Sequence, residues 1–367
     1  MSGSVGTNSG RRSGSIGTAA SGPTVSASDP AIDTNPSEGV GTQWANSSTG
    51  DFYVCTDATT DENVWTNVDN AQDSIQPWNF PGESYGYAQG GGSGNDVIEK
   101  WSFAAQADAT DVGNLTSGRG GHGGSCTSST YGYICGGQPD TANVDKYAFA
   151  SDGNAVDANF DMSGIRVMGA GSSSSTHGYT QAGGAASESL VNIIDKFEFA
   201  ASSNATDIGD VVQQRCRLAG HSSATYGYGS GGNTAGAGSP NYDNIEKHSF
   251  SSDGNSTDVG NLTVGRGPDG GGGSSATHGH TAGGYAGGTN VTIDRFSFSS
   301  DGDSTDVGDL TVSVRHVAVA SATSYGYAAM GYPNTVTIQR WSFSATGNTV
   351  DWADLTVSRN QGTGNQV

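Results

Sequence analysis

The chain has 367 residues, of which 33% are hydrophobic and 59 are glycine, and its 36 acidic against 15 Lys and Arg side chains give a formal charge of -21. That charge disfavours a phosphate-binding surface, so we expect no nucleic-acid partner. No run approaches the ~18 apolar residues of a membrane helix, and the opening MSGSVGTNSGRRSGSIGT lacks the apolar core of a secretory signal. We therefore expect a soluble chain, made in the cytoplasm and not inserted into a membrane.

The N-terminal region divides into two segments of different composition. Residues 1–36 are mostly Gly, Ser, Thr and Asp with almost nothing to bury, which predicts an extended arm. In residues 37–75, Trp44, Phe52, Tyr53 and Trp65 flank turn-rich stretches. This pattern predicts a small β-hairpin module.

Residues 76–367 repeat one unit six times. Each unit has an aromatic-Gly-aromatic signature, a Gly-Gly or Met-Gly pair, a loop, a strand such as IEKWSF, a turn such as SDGN, a strand such as TDVGNL and an arginine. The central glycines of the signatures are Gly86, Gly132, Gly178, Gly227, Gly279 and Gly326. Alternating β-branched and aromatic residues without a helical period indicate strands. Four strands repeated every ~45–50 residues are typical of a β-propeller blade.

The order of these segments resembles the kelch-type propeller. Trp352 of the sixth unit stands where kelch blades usually place a Trp, whereas the other five units have Val, Ile or Ala there. The resemblance implies an all-β, six-bladed kelch-like propeller, with seven blades as the alternative if residues 40–75 add one. Because the chain continues past the sixth arginine as NQGTGNQV, we expect residues 360–367 to supply the first strand of the first blade.

The repeated polar residues allow several kinds of chemistry. The arginines, which we expect to form salt bridges between blades or bonds to backbone carbonyls, are Arg119, Arg166, Arg215, Arg266, Arg315 and Arg359. His177 and His278 occupy a position that is Tyr in sister units, which indicates packing. A metal site of His122, His221 and His316 is the less favoured alternative. We expect no catalytic residues and no enzyme activity.

The cysteines and the aspartate-rich turns leave two alternatives open. Cys126 and Cys135 could face each other across a hairpin, but burial as free thiols is favoured over a disulfide. The segment DGDSTDVGD at 301–309 has four aspartates, yet Val312 stands where a calcium loop needs a carboxylate, so we expect a turn, with calcium as the alternative cofactor. The sequons at Asn204, Asn255 and Asn261 are likewise explained by turn chemistry.

The loops after the Gly-Gly pairs vary most among the six units, and recognition usually resides in such loops on a rigid scaffold. We expect them on one face of the ring, where aromatic side chains suit a sugar or a protein patch. The candidate binding residues are Asp140, Asn241, Tyr242, Tyr285, Tyr332 and Asn334.

A second resemblance concerns the first 75 residues. The phrase QWANSSTGDFYVCTDATTDENVW is similar to a short module of tail-fibre and other virion proteins of bacteriophages, and SGRRSGSIGT is similar to the Gly/Ser arms of marine phage structural proteins. It implies a tail or head fibre whose arm contacts other virion proteins and whose propeller binds a host surface glycan or protein, with homo-oligomerisation left open. The alternatives are a virion decoration or connector protein without a host ligand, and a secreted hydrolase or oxidase.

Overall fold

The computed structural model describes residues 22–31, 33–60, 63–68, 80–122, 124–184, 189–234, 240–267 and 271–367. These residues form an all-β protein whose one described helix is the three-residue 3-10 turn Gly92–Gly94. No helix in the described ranges is long and apolar enough to span a membrane. The chain divides into two compact units, Met1–Pro77 and Trp78–Val367.

The N-terminal unit contains one four-stranded sheet. Its strands are β1 Thr24–Ser26, β2 Gln43–Asn46, β3 Phe52–Asp57 and β4 Val64–Asn67, in the order β1-β2-β3-β4. Tyr53, Cys55 and Trp65 form its core. The prediction of an arm through residue 36 is wrong at β1, which pairs in parallel with β2. Val25 is 67% exposed, so β1 is held by backbone pairing that hydrophobic patterning does not reveal. Residues 1–21 of the predicted arm lie outside the described residues.

The described residues of the C-terminal unit form six four-stranded antiparallel sheets. The sheets are called first to sixth along the chain, and within each sheet the strands are called first to fourth. The first sheet is β28 Thr363–Gln366, β5 Tyr85–Gly91, β6 Asn95–Ser102 and β7 Thr110–Asn114; its first strand comes from the far end of the chain. The second sheet is β8 Gly124–Thr127, β9 Tyr131–Gly137, β10 Thr141–Ala148 and β11 Val156–Asp161, and the third is β12 Ala170–Ser173, β13 His177–Gln181, β14 Ile193–Glu198 and β15 Thr206–Asp210. The fourth sheet is β16 Ala219–Ser222, β17 Tyr226–Ser230, β18 Asn244–Ser249 and β19 Thr257–Asn261, and the fifth is β20 Gly272–Ser274, β21 His278–Ala282, β22 Thr292–Ser297 and β23 Thr305–Asp309. The sixth sheet is β24 Ala318–Ser321, β25 Tyr325–Ala329, β26 Thr335–Ser342 and β27 Val350–Arg359. This arrangement is consistent with a propeller-like fold.

The glycine of each aromatic-Gly-aromatic signature makes room for a ring on the neighbouring strand. Gly279 pairs with Phe296, and a Cβ at Gly279 would lie 2.2 Å from Cζ of that ring. Gly326 stands in the same relation to Trp341, at 2.1 Å. The glycine of the signature therefore lets a large side chain of the third strand pack directly against the backbone of the second strand. The second aromatic residue of the signature follows the glycine and is buried.

Small polar side chains join the first strands of successive sheets. The backbone N–H of Thr127 donates to Oγ of Ser173 at 2.9 Å, and Ser173 N–H donates to Ser222 Oγ at 2.9 Å. The series continues through Ser274 to Ser321, whose N–H donates to Oε1 of Gln366 in the first sheet. The Ser hydroxyls of the first strands therefore accept hydrogen bonds from the backbone N–H groups of the preceding sheet.

Aromatic pairs link each second strand to the next sheet. Tyr179 stacks on Phe250 with ring centroids 4.8 Å apart, and its hydroxyl lies 3.5 Å from the Phe250 carbonyl. Tyr327 of the sixth sheet stacks in the same way on Phe103 of the first, at 4.8 Å. The fifth sheet has His280 in place of the Tyr, 4.6 Å from Phe343.

The SDGN-type turns also cross from sheet to sheet. Oδ1 of Asn255 accepts the backbone N–H of Asp210 at 3.0 Å, and Oδ1 of Asn204 accepts that of Asp161 at 3.1 Å. Asp303 accepts the N–H of Asn261 at 3.0 Å, while Asp301 pairs with Lys247 at 2.6 Å. These segments connect third and fourth strands, and their carboxylates and amides form contacts between sheets.

The predicted salt bridges are confirmed for five of the six arginines. Each links the last residue of a fourth strand, or the connection after that strand, to a buried carboxylate on the third strand of the next sheet. The pairs are Arg119–Asp145 (3.1 Å), Arg166–Asp195 (2.7 Å), Arg215–Glu246 (2.6 Å), Arg266–Asp294 (2.7 Å) and Arg359–Glu99 (2.6 Å). The assignment of Arg315 to this series is wrong: the buried position belongs to Val314, whose carbonyl accepts the N–H of Gly284 as the Arg266 carbonyl accepts that of Gly232. The carboxylate position of the sixth sheet is Gln339.

The four cysteines are free and buried, as favoured by the sequence. Sγ of Cys126 lies 3.3 Å from the carbonyl oxygen of Tyr179 in the neighbouring sheet. Burial raises the pKa of the Cys135 thiol well above its usual value. Both cysteines are therefore small core residues, and the Cys135 thiol is neutral.

Candidate functional site

One end of the six sheets carries all the variable loops. Because neighbouring strands alternate in direction, the loops from second to third strands lie at the same end as the connections from one sheet to the next. Backbone bridges tie these segments together at Gly120–Gln138, Val167–Gly184, Cys216–Asn233, Gly267–Tyr285 and Arg315–Tyr332. We call this surface the loop end. Parts of two of its loops, residues 185–188 and 235–239, lie outside the described residues.

The six predicted binding residues all lie at the loop end. Asp140 is exposed in the second sheet's loop, and Asn241 and Tyr242 are half-buried in the fourth sheet's loop. Tyr285 is half-buried in the fifth, while Tyr332 is 47% exposed in the sixth. The last of the six, Asn334, is exposed two residues beyond Tyr332.

The structure brings Tyr285 and Tyr332 together around Arg315. The guanidinium carbon of Arg315 lies 4.8 Å from the ring centroid of Tyr285 and 4.6 Å from that of Tyr332. Both distances are within the range of cation–π attraction. We call these three residues the Arg315 cluster. It joins the loops of the fifth and sixth sheets at one point.

A polar groove adjoins the loop of the sixth sheet. Asn334 accepts a hydrogen bond from the side-chain amide of Asn360. Asp96 and Ser358 line the same groove, whose floor includes Arg359. The groove presents amide, hydroxyl and carboxylate groups, and of its lining residues Asn334 lies two residues along the chain from Tyr332.

The other predicted residues are not part of this cluster. Within the described residues, no hydrogen bond or ring contact joins Asp140, Asn241 or Tyr242 to it. Oδ1 of Asn241 instead accepts a 3.4 Å hydrogen bond from Asn233 in its own loop. Of the six predicted residues, two therefore belong to the cluster, Asn334 lies in the same loop as Tyr332, and the other three lie in the loops of the second and fourth sheets.

Arg315 itself was missed because the sequence repeat assigned it a structural role. Two signals distinguish it. The segment after Leu310 is one residue longer before its arginine than the segment after Leu262, and the third strand of the sixth sheet has Gln339 where the others have Asp or Glu. The shift by one residue moves the guanidinium out of the buried position and toward the loop surface.

The histidines do not assemble a metal site in the described part of the chain, where no group of three or more His, Cys, Asp or Glu side chains could hold an ion. The Nδ1 atoms of His177 and His278 lie 2.7 and 2.8 Å from neighbouring Thr hydroxyls. His221 lies between the Gly273 carbonyl (3.1 Å) and the Ser230 hydroxyl (2.9 Å), and burial lowers its pKa to about 4.

His280 makes stability depend on pH. Burial, and nearby positive groups, lower its pKa to about 3, whereas the unfolded chain has a value of about 6.5. The unfolded state therefore binds the proton first, so the contribution of neutral His280 is complete above pH 6.5 and is lost as pH falls toward 3. We expect His280→Tyr, the residue of the other five sheets, to reduce the loss of unfolding free energy between pH 7 and pH 4 by on the order of 2 kcal/mol.

Urea unfolding at several pH values measures this effect. His278→Tyr is the matched control, because His278 is only half-buried at the start of the same strand. Parallel pH profiles for His280→Tyr and the unchanged chain would contradict the prediction.

The fold and the loop end define an all-β protein of repeated four-stranded antiparallel sheets with a cation–aromatic cluster among its variable loops. Comparison with models of known protein families gave no match, and comparison with curated protein sequences gave none either.

Proposed function

We propose that the C-terminal unit is a closed, six-bladed, kelch-like β-propeller that binds a host-surface ligand at its loop end as part of a phage tail or head fibre. In this proposal the protein is a binding protein and has no enzymatic activity. Other virion proteins are its partners through the N-terminal residues.

Three kinds of observation support the closed ring. The first strand of each sheet contacts that of the next, and β28 contacts both β24 and β8, so the series returns to its start. The ion pair Arg359–Glu99 and the stack Tyr327–Phe103 join the sixth sheet to the first as their counterparts join the others. One cavity is lined by residues of the first strand, or of the segment leading into it, from all six sheets. A separate unit holds the sheet β1–β4, which favours six blades over seven.

The observation that carries the binding function is the Arg315 cluster. The other five arginines of the repeat form buried ion pairs. Arg315 instead lies beside two tyrosines at the loop end. Tyr332 is 47% exposed, and aromatic side chains that are partly exposed beside a cation are typical of recognition surfaces. The virion assignment is supported by the sequence resemblance of residues 1–75 alone.

Binding of the purified full chain to a glycan array and to intact bacterial cells tests the proposal. We expect binding that Tyr332→Ala weakens at least tenfold. Tyr131→Ala is the matched control, because Tyr131 is an exposed tyrosine that begins a second strand, at the end of the sheets away from the loops.

Three outcomes would overturn parts of the proposal. Equal loss in both variants would remove the loop end as the binding surface. No binding to glycans or cells by a chain that immunogold labelling finds on the virion would instead favour the decoration or connector alternative. No labelling of virions would remove the phage assignment.

A further inference from the structure

We propose that the Arg315 cluster is a binding site for the carboxylate of an acidic sugar. This inference names the ligand class for the loop end and so rests on the binding function proposed above.

In the sixth sheet the buried ion pair is replaced by two neutral residues. Val314 is fully buried where the other sheets have arginine, and Gln339 is buried where they have a carboxylate. Oε1 of Gln339 accepts hydrogen bonds from the N–H of Val312 at 2.8 Å and from the Thr311 hydroxyl at 2.9 Å. The junction is thus complete without a charge, and Arg315 is not needed to hold it.

Arg315 is instead fixed at the loop end by its backbone. Its N–H donates to the Tyr332 carbonyl at 3.1 Å, and its carbonyl accepts the Tyr332 N–H at 2.7 Å. The guanidinium carbon lies over the rings of Tyr285 and Tyr332, and these two contacts limit the positions of the side chain. A cation on a long, flexible side chain is in this way given one position, which lowers the entropy lost when a ligand binds.

The guanidinium has hydrogen-bond donors to offer. In the described part of the chain no carboxylate forms an ion pair with Arg315, and its side chain makes no hydrogen bond. Nε is buried and makes no hydrogen bond, as in the other five arginines of the repeat. The two Nη groups of Arg315 are not among the buried atoms, so they are the donors that a ligand can reach.

The ligand class follows from the geometry and the charge. A planar guanidinium matches a planar carboxylate through two parallel N–H···O bonds. One arginine balances one negative charge, and on a chain of net charge -21 a doubly charged phosphate would be disfavoured. Tyr332, which is 47% exposed, offers aromatic surface for the apolar side of a sugar, and Asn334 is exposed two residues further along the same loop.

Isothermal titration of the full chain with D-glucuronate, D-glucose and inorganic phosphate tests the site. We expect glucuronate to bind at least tenfold more tightly than either of the other two. Arg315→Gln should lower glucuronate affinity at least tenfold. Arg315→Lys should also lower the affinity, because it keeps the positive charge but loses the two parallel N–H donors of the guanidinium. Raising the salt concentration should weaken binding to the unchanged chain.

Arg340→Gln is the matched control, because Arg340 also lies beside two aromatic rings, Tyr325 and Trp352, but away from the loop end. Glucuronate affinity should be unchanged in this variant, and the urea midpoints of all variants should match that of the unchanged chain. Equal binding of glucose and glucuronate, tighter binding of phosphate, or unchanged glucuronate affinity in Arg315→Gln would each overturn the inference. Array binding that is lost in Tyr332→Ala but kept in Arg315→Gln would overturn the inference while leaving the proposed function intact.

Discussion

Replacing Arg266 by valine should cost about 3–5 kcal/mol of unfolding free energy, and adding Asp294→Gln to it should recover most of that loss. Arg266 and Asp294 are fully buried and 2.7 Å apart. Removing the arginine alone leaves a carboxylate in the interior without its cation, which is the costly state. The double variant copies the neutral pair that the sixth sheet already uses.

The recovery depends on contacts that a neutral amide keeps. Asp294 accepts hydrogen bonds from the N–H of Thr263 at 3.2 Å and from its hydroxyl at 2.6 Å. Gln339 accepts from the Thr311 hydroxyl and from the N–H of Val312, one residue further along the chain. A neutral amide can therefore accept both a hydroxyl and a backbone N–H from this segment.

A double-mutant cycle by urea unfolding measures the coupling, which we expect to be about 2–4 kcal/mol. Gln339→Glu is the reciprocal control: it places a carboxylate opposite Val314 and should destabilise the chain, most strongly above the pKa of the new group. Additive effects of Arg266→Val and Asp294→Gln would show that the two positions do not act as a pair.

This pair also shows how far the sequence could predict the structure. The alternation in strands such as IDRFSF and the Gly-bearing signatures predicted the four-stranded antiparallel sheets, since local periodicity determines strand faces. The burial of arginine against a carboxylate followed from repetition of both residue types. The exchange at Val314 and Gln339 is not evident from the sequence, because one extra residue after Leu310 resembles an ordinary variation in spacing and the two changes lie 25 residues apart.

The candidate site was partly predictable for the same reason. Tyr285 and Tyr332 stood out as aromatic residues in variable loops, but nothing local to either loop indicates that they meet. Their contact depends on how neighbouring sheets pack, which involves the serine hydroxyls and turn amides between sheets. Those short polar residues appear in sequence as loop and turn composition, and their partners lie about 40–50 residues away.

Removing residues 363–367 should abolish cooperative unfolding of the C-terminal unit or lower its urea midpoint severely. These residues include β28, which pairs with β5 through Thr363–Gln89 to Gln366–Gly86. Without them β5 becomes an exposed edge strand with unpaired backbone groups. Val367 also accepts the N–H groups of Ser84 and Tyr85 at 2.7 and 2.8 Å, so the turn before β5 loses its partner as well.

Asn365 concentrates much of this effect in one side chain. It is 1% exposed, and its Nδ2 donates to the Cys126 carbonyl at 2.9 Å and to the Thr127 hydroxyl at 2.8 Å, while Oδ1 accepts from Gln89 at 3.0 Å. Asn365→Ala removes these hydrogen bonds between buried groups of the first and second sheets, which should cost about 2–4 kcal/mol. Thr363→Ser, which keeps the hydroxyl bonded to Ser125, is the control and should change stability little.

Adding back a peptide of residues 360–367 separates the loss of this strand from general damage to the chain. If β28 completes the first sheet, the peptide should raise the urea midpoint of the truncated chain in proportion to the logarithm of its concentration, because it binds only the folded state. A peptide with Asn365→Ala should act only at higher concentration. A truncated chain that unfolds at the same midpoint as the full chain, with or without peptide, would show that β28 adds nothing to the sheet and would remove the main support for a closed ring.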